Sequence, residues 1–252
     1  MLDLHVHLLG HLDRKANAEN IRSFLEQARA SNLTQIGFAD HDMYWEDLQL
    51  DLIRKVAEEY PDLQVRVGLE VDYQEDQEPQ IKQLIASYPF DYVIGSVHQL
   101  AGWYFDMPEE EEKHRYYDSD KYYREYFNAI EKAASSGLFD IIGHLDLIKI
   151  FNMRPQADVR TLAATALKTI KEQGLVVEIN TNGRYKPVRE FYPELKLIET
   201  MKEMGIPFTL GSDAHSPLAV GRDLSEVCGM LKDLDVHQVT GFKQRKAQII
   251  AI

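Results

Sequence analysis

The sequence predicts an α/β fold, a (β/α) barrel of seven strand–helix units whose site lies at the C-terminal ends of the strands. Short apolar runs that end in polar clusters alternate with stretches of helical spacing, the pattern of parallel strands joined by crossover helices. The length of 252 residues is close to the ~250 that one such barrel uses. No long Pro/Gly/Ser-rich linker and no internal repeat divides the chain, so one domain is expected over residues 1–252.

The first strand is read at Leu2–His7. It is followed by a helix whose Ile21, Phe24, Leu25 and Ala28 form one buried stripe. Gln35–Ala39, Gln64–Val71 and Tyr92–Ser96 supply the next strands. The segment at about 99–120 breaks the alternation with Gly102-Trp103-Tyr104-Phe105 and the acidic run Glu109–Glu112. It is expected to be a solvated surface loop, or a lid, because functional loops of barrels follow the strands. Tyr123, Tyr126, Phe127 and Ile130 then mark a helix, Ile141–Gly143 a strand, and Val159, Leu162, Ala163, Ala166, Leu167 and Ile170 a longer helix. Val176–Ile179 and Phe208–Gly211 are the last strands, and Leu224, Val227, Cys228 and Leu231 the last helical stripe. The closing segment Val236–Ile252 fits none of these units.

Composition limits the function. Hydrophobic residues at 44% and charged residues at 27% belong to an ordinary globular chain able to bury a large core. The single cysteine, Cys228, gives no intrachain disulfide, and there is neither a secretory leader nor an apolar run of the ~18 residues a membrane span needs. A cytoplasmic protein with no membrane partner is expected. A net charge of −13 repels phosphate backbones, which argues against nucleic acid as a partner.

Seven of the nine histidines fall at or just after strand ends. His5 and His7 are two apart on one strand face, and His11 opens the following loop. His41 lies in Ala39-Asp40-His41-Asp42, where the flanking carboxylates can orient its ring. Glu70 ends Gly68-Leu69-Glu70, His98 ends Gly95-Ser96-Val97-His98, His144 follows Gly143, and Asp213 and His215 lie in Gly211-Ser212-Asp213-Ala214-His215. The C-termini of all strands of a parallel barrel meet at one rim, so these residues become neighbours. His114 and His237 are left as ordinary residues. So many imidazoles and carboxylates exceed one zinc site, and without thiolate they suit Zn, Mn or Fe. Glu70 is placed to bridge two ions. Paired cations activate water and clamp a phosphoryl group, so metal-assisted hydrolysis of a phosphate ester is expected.

These motifs together resemble the PHP (polymerase and histidinol phosphatase) family over nearly the whole chain. The resemblance implies a distorted (β/α)7 barrel with a trinuclear site, and thus three divalent metal ions as cofactors. On it, His5, His7, Glu70 and Asp213 hold the first metal. Glu70, His98 and His144 hold the second, and His11, His41 and His215 the third. The segments Glu178-Ile179-Asn180-Thr181-Asn182-Gly183-Arg184-Tyr185-Lys186-Pro187, Phe191-Tyr192-Pro193 and Gly143-His144-Leu145-Asp146-Leu147-Ile148-Lys149 are similar to the histidinol-phosphatase branch. They imply L-histidinol phosphate as the small-molecule substrate. Another phosphate ester, a nucleotide or a DNA 3′ end is the alternative.

In that reading a metal-bridging hydroxide attacks phosphorus, with Glu70, Asp213 and His215 as the catalytic set. Arg154, Arg184, Lys186 and Lys149 are the candidate phosphate contacts. Asp106, Asp118 and Glu178 are the candidates for the substrate's amine, and Trp103, Tyr104 or Phe105 for its imidazole.

Overall fold

The computed structural model describes residues 1–252. In chain order its elements are β1 (Leu2–Val6), α1 (Ala18–Ala30), β2 (Gln35–Phe38), α2 (Leu50–Ala57), β3 (Gln64–Asp72), α3 (Glu78–Ala86) and β4 (Tyr92–Ser96). Next come the short strands β5 (Gln99–Leu100) and β6 (Trp103–Tyr104), then α4 (Ser119–Ser135), β7 (Ile141–Ile142), α5 (Val159–Gln173), β8 (Val176–Asn180), α6 (Leu195–Met204), β9 (Phe208–Gly211) and α7 (Leu224–Asp233). A hairpin, β10 (Gln238–Lys243) and β11 (Lys246–Ala251), ends the chain.

The seven-stranded sheet runs β1-β2-β3-β4-β7-β8-β9, and all its pairings are parallel. It closes on itself just beyond β9, where His7 N donates to Ala214 O at 2.9 Å and Ala214 N donates to His5 O at 3.3 Å. The barrel expected from the sequence is therefore present, with every expected strand within two residues of its observed ends.

Helices cover the outside through the stripes read from the sequence. The buried residues of α1 are Ile21, Phe24, Leu25 and Ala28, and those of α7 are Leu224, Val227, Cys228 and Leu231. Side-chain caps start three of the helices: Asn17 accepts from Asn20 N, Asp118 from Lys121 N and Asp158 from Arg160 N. Gly174 ends α5 in the left-handed region at φ 68°, where a residue without Cβ is unstrained.

Inside the barrel, Tyr92 crosses the interior and donates its hydroxyl to Leu4 O at 2.6 Å. Gly68 makes room for that ring, since a Cβ there would collide with it. The hairpin caps the opposite, N-terminal mouth. Arg66 Nε donates to Phe242 O at 2.8 Å, Gln244 N donates to Asp91 Oδ1 at 3.0 Å, and Arg245 pairs with Asp140. Val239 and Phe242 of the hairpin are buried against that end, opposite the C-terminal rim. No helix is long and apolar enough to cross a membrane.

Candidate active site

Glu70, buried in β3, stands at the centre of the rim. Its Oε2 lies 2.9 Å from His41 Nδ1, 3.3 Å from His5 Nε2 and 3.6 Å from His7 Nε2. Its Oε1 lies 3.0 Å from His144 Nε2 and 3.5 Å from His98 Nε2, and accepts from the Ser96 hydroxyl at 2.7 Å. Five imidazoles carried by four strand ends thus face one carboxylate. His7 Nε2 also lies 3.2 Å from Asp213 Oδ1. The His215 ring stacks on His7 at 4.2 Å between centroids, and the His11 ring reaches His215 at 4.5 Å. All nine residues read as ligands from the sequence are brought together. His11 is the peripheral one, exposed and joined only through ring contacts.

Buried groups behind the cluster fix its orientation. Glu178 on β8 sits beneath it: Oε1 is 2.6 Å from His5 Nδ1, while Oε2 accepts from His144 N at 2.9 Å and Asn180 Nδ2 at 3.1 Å. Gly211 leaves the space for this carboxylate, because a Cβ there would strike both Glu178 and His5 Cβ. Asp72 accepts from His98 N at 2.9 Å and lies 3.4 Å from His98 Nδ1. Asn182 Nδ2 donates to Asp213 Oδ2 at 3.1 Å, leaving Oδ1 to face His7. Asp213 holds a positive φ of 51°, a strained position for a residue with a side chain and one that tertiary packing must enforce. Asp40, expected to orient His41, instead accepts from Leu8 N at 3.0 Å and Leu9 N at 2.8 Å. It shapes the loop between His7 and His11, while Glu70 takes the His41 ring.

The electrostatics are those of a cation site. Burial alone would raise the Glu70 carboxyl, yet the charges of His5, His41 and His98 and the His144 hydrogen bond hold it well below the usual carboxylate range. Burial and the neighbouring rings of His215 and His41 keep His7 well below the ordinary imidazole value, in the neutral form that ligates metal. His5 Nε2, both nitrogens of His7, His144 Nδ1 and His215 Nε2 are buried without a hydrogen-bond partner. Orphaned buried polar atoms are rare in folded proteins, and here they converge. Three tight donor groups result: His5, His7 and Glu70; His7, His41 and His215; and His41, Glu70 and His98. They share members and cut across the three ligand sets that the resemblance implies, because Glu70 and His7 lie centrally. Imidazole with carboxylate and no thiolate fits divalent Zn, Mn or Fe.

Comparison with known proteins agrees with this geometry. Residues 3–182 match the PHP domain. The chain belongs to the PHP family. A Deinococcus radiodurans protein named "Probable histidinol-phosphatase" is 38% identical, across 97% of this chain and 96% of that protein. The Lactococcus lactis "Histidinol-phosphatase" is 26% identical over 97% of this chain and 95% of its own. The crystal structure of histidinol phosphate phosphatase from Lactococcus lactis, complexed with zinc, L-histidinol and phosphate, superposes with a TM-score of 0.76 at 23% identity. The superposition covers 98% of each chain.

Within this PHP barrel most of the cations read as phosphate contacts are held by protein carboxylates. Lys149 is completely buried, with Nζ 2.9 Å from Asp146, 3.2 Å from Glu190 and 2.8 Å from Phe191 O. Arg154 pairs with Glu190 at 2.7 Å and Glu194 at 3.1 Å, and Arg184 pairs with Glu226. Lys186, by contrast, is close enough for its charge to act on His11. Two cations that sequence reasoning passed over also reach the rim. Arg14 Nε donates to His215 O at 3.1 Å, and Arg222 Nη2 donates to Asn182 Oδ1 at 3.2 Å.

Of the candidates for the amine, Glu178 is committed to His5 and Asp118 caps α4. Phe105 is core, Trp103 stacks on Tyr117 at 4.5 Å, and Tyr104 is exposed. His114 lies buried with Nε2 on Phe105 O, and His237 is exposed beside Asp235.

Glu178→Gln tests the support of His5. It should weaken divalent metal affinity by about 10- to 100-fold, as loss of a carboxylate behind a ligating imidazole does, and competition with a chelator measures this. Unchanged affinity would remove Glu178 from that role.

Proposed function

We propose that this protein is a metal-dependent phosphatase of the cytoplasm that hydrolyses L-histidinol phosphate to L-histidinol and phosphate. The observation that carries the reading is the cluster of imidazoles and carboxylates gathered around Glu70 at the C-terminal rim of the barrel. Its close likeness along the chain to curated histidinol-phosphatases supports the substrate. We assign a trinuclear centre, with His5, His7, Glu70 and Asp213 at the first ion, Glu70, His98 and His144 at the second, and His11, His41 and His215 at the third. Bound there, divalent ions neutralise phosphoryl charge and bring the pKa of water near neutrality.

The chain's own groups do the rest. Glu70 joins the first two sets, and Ser96 and the surrounding imidazoles fix both its oxygens. Asp213 Oδ1 is the oxygen placed to take the proton of the attacking water, because Asn182 occupies its Oδ2. His215, whose Nδ1 lies 3.0 Å from Asp213 O, presents Nε2 to the centre. Lys186 is the cation we place on a phosphoryl oxygen, with Arg14 and Arg222 beside the rim.

The test is phosphate release from L-histidinol phosphate by metal-replete protein, with nucleotides and oligonucleotides as competitors and with chelator. Turnover that is specific for L-histidinol phosphate and lost with chelator is expected. A wide preference for nucleotides, or full activity in chelator, would overturn the reading.

A further inference from the structure

The insertion after β4 is built to present one carboxylate. Phe105, fully buried, is packed edge-on by Tyr126 and Tyr122, with ring centroids 5.6 and 6.3 Å away. Its carbonyl accepts from His114 Nε2 at 2.7 Å, and Trp103 Nε1 donates to Glu110 at 2.5 Å. An aromatic stack of Trp103, Tyr117 and Tyr122 closes the segment, with centroids 4.5 to 5.2 Å apart. The segment is pinned to the core at Phe105 and His114, while Glu109, Glu111 and Glu112 of its acidic run stay exposed, as expected for a solvated surface.

The residue after Phe105, Asp106, lies close enough to the rim for the charges of His98, His144 and Asp72 to act on it. Its Oδ1 is buried and has no hydrogen-bond partner. Burial is the main influence on it, and the positive charges that oppose burial most strongly are those of His98 and His144. It stands outside the tight donor groups around Glu70. A buried carboxylate oxygen without a donor costs stability, so a chain that holds one on a pinned segment at the mouth of its site has placed it for a ligand.

We infer that Asp106 is the specificity-determining residue that binds the substrate's ammonium group; the inference rests on the proposed substrate. With the phosphoryl group among the metal donors, the insertion is the segment next to the site on the β4 side, since it follows β4 directly after His98, whose Nε2 lies 3.5 Å from Glu70. There Oδ1 of Asp106 is a buried acceptor without a donor, whereas Glu178 is held by His5 and His144 N, and Asp118 is an exposed cap of α4. A charge-assisted hydrogen bond to a buried acceptor also rejects analogues that lack the donor, because the carboxylate then stays unpaired.

Asp106→Asn keeps the shape and removes the charge. It should lower kcat/KM for L-histidinol phosphate by about ten- to a hundredfold. Turnover of phenyl phosphate, and of the analogue in which hydrogen replaces the amine, should change less than about twofold, with metal content per chain unaltered. The thermal midpoint should stay the same or rise, since an unpaired buried charge is lost. An equal loss on all substrates, a fall in metal content or a lower thermal midpoint would overturn the role of Asp106, as would unchanged turnover of L-histidinol phosphate. Failure of the substrate reading looks different: the unmodified protein would hydrolyse phenyl phosphate and leave L-histidinol phosphate intact.

Discussion

Glu70→Gln is expected to lower kcat/KM by on the order of 10³-fold or more, the loss of about 4 kcal/mol of transition-state stabilisation. The amide fills the same space and can still accept from Ser96, so the barrel should fold. What disappears is the negative charge that five imidazoles face within 3.6 Å. Without it the first two proposed metal sets lose the oxygen they share, and the carboxylates left to the rings are Asp213 beside His7, Glu178 behind His5 and Asp72 behind His98. Metal content measured beside turnover should therefore fall together with activity. A protein that kept its full metal content and lost less than about tenfold in activity would show that Glu70 is peripheral. His11→Ala offers a contrast, because His11 touches the cluster only through its ring and should cost far less.

The reason Glu70 stands out in the sequence is topological. Parallel strands deliver their C-terminal residues to one rim, so nine residues spread from His5 to His215 can be gathered on paper once the strand ends are known. The strands were legible because β1, β2, β4, β8 and β9 are buried along their whole length and read as short, mostly apolar runs ending at polar clusters. The terminal hairpin was not legible for an equally local reason. Its turn residues, Gln244 and Arg245, both have positive φ, at 51° and 61°, where a two-residue turn normally announces itself with Asn-Gly. Contacts to the starts of β3, β4 and β7 hold this turn in place of local preference, so no window of sequence contains the signal.

The same limit governs the supporting carboxylates. Asp40 and Glu178 were visible as acids near the rim, yet their partners lie 31 and 173 residues away in the chain. Asp40 binds backbone amides and Glu178 an imidazole, a division that only the closed barrel defines. The cations fared likewise, since nothing local in Arg184 foretells Glu226.

Lys149→Met is expected to destabilise the protein by about 3–5 kcal/mol, the range for removing one partner of a buried ion pair. For a chain of this size that lowers the thermal midpoint by roughly 6–20 °C. Lys149 is wholly buried, its Nζ holds Asp146, Glu190 and the carbonyl of Phe191, and it lies 5.5 Å from the centre of the Tyr192 ring. Methionine fills the volume but leaves Asp146 buried and unpaired. Adding Asp146→Leu should therefore recover part of the loss, although Glu194 N would forfeit its acceptor. Because the lysine ties down the stretch that carries Tyr192, whose ring meets His144 at 6.4 Å, a modest fall in turnover should accompany the loss of stability. The opposite pattern, an unchanged thermal midpoint with a large fall in kcat/KM, would place Lys149 on the phosphoryl group. The two roles are separable because a buried cation with three protein acceptors has its charge neutralised before substrate arrives, whereas a phosphate-binding cation awaits that neutralisation.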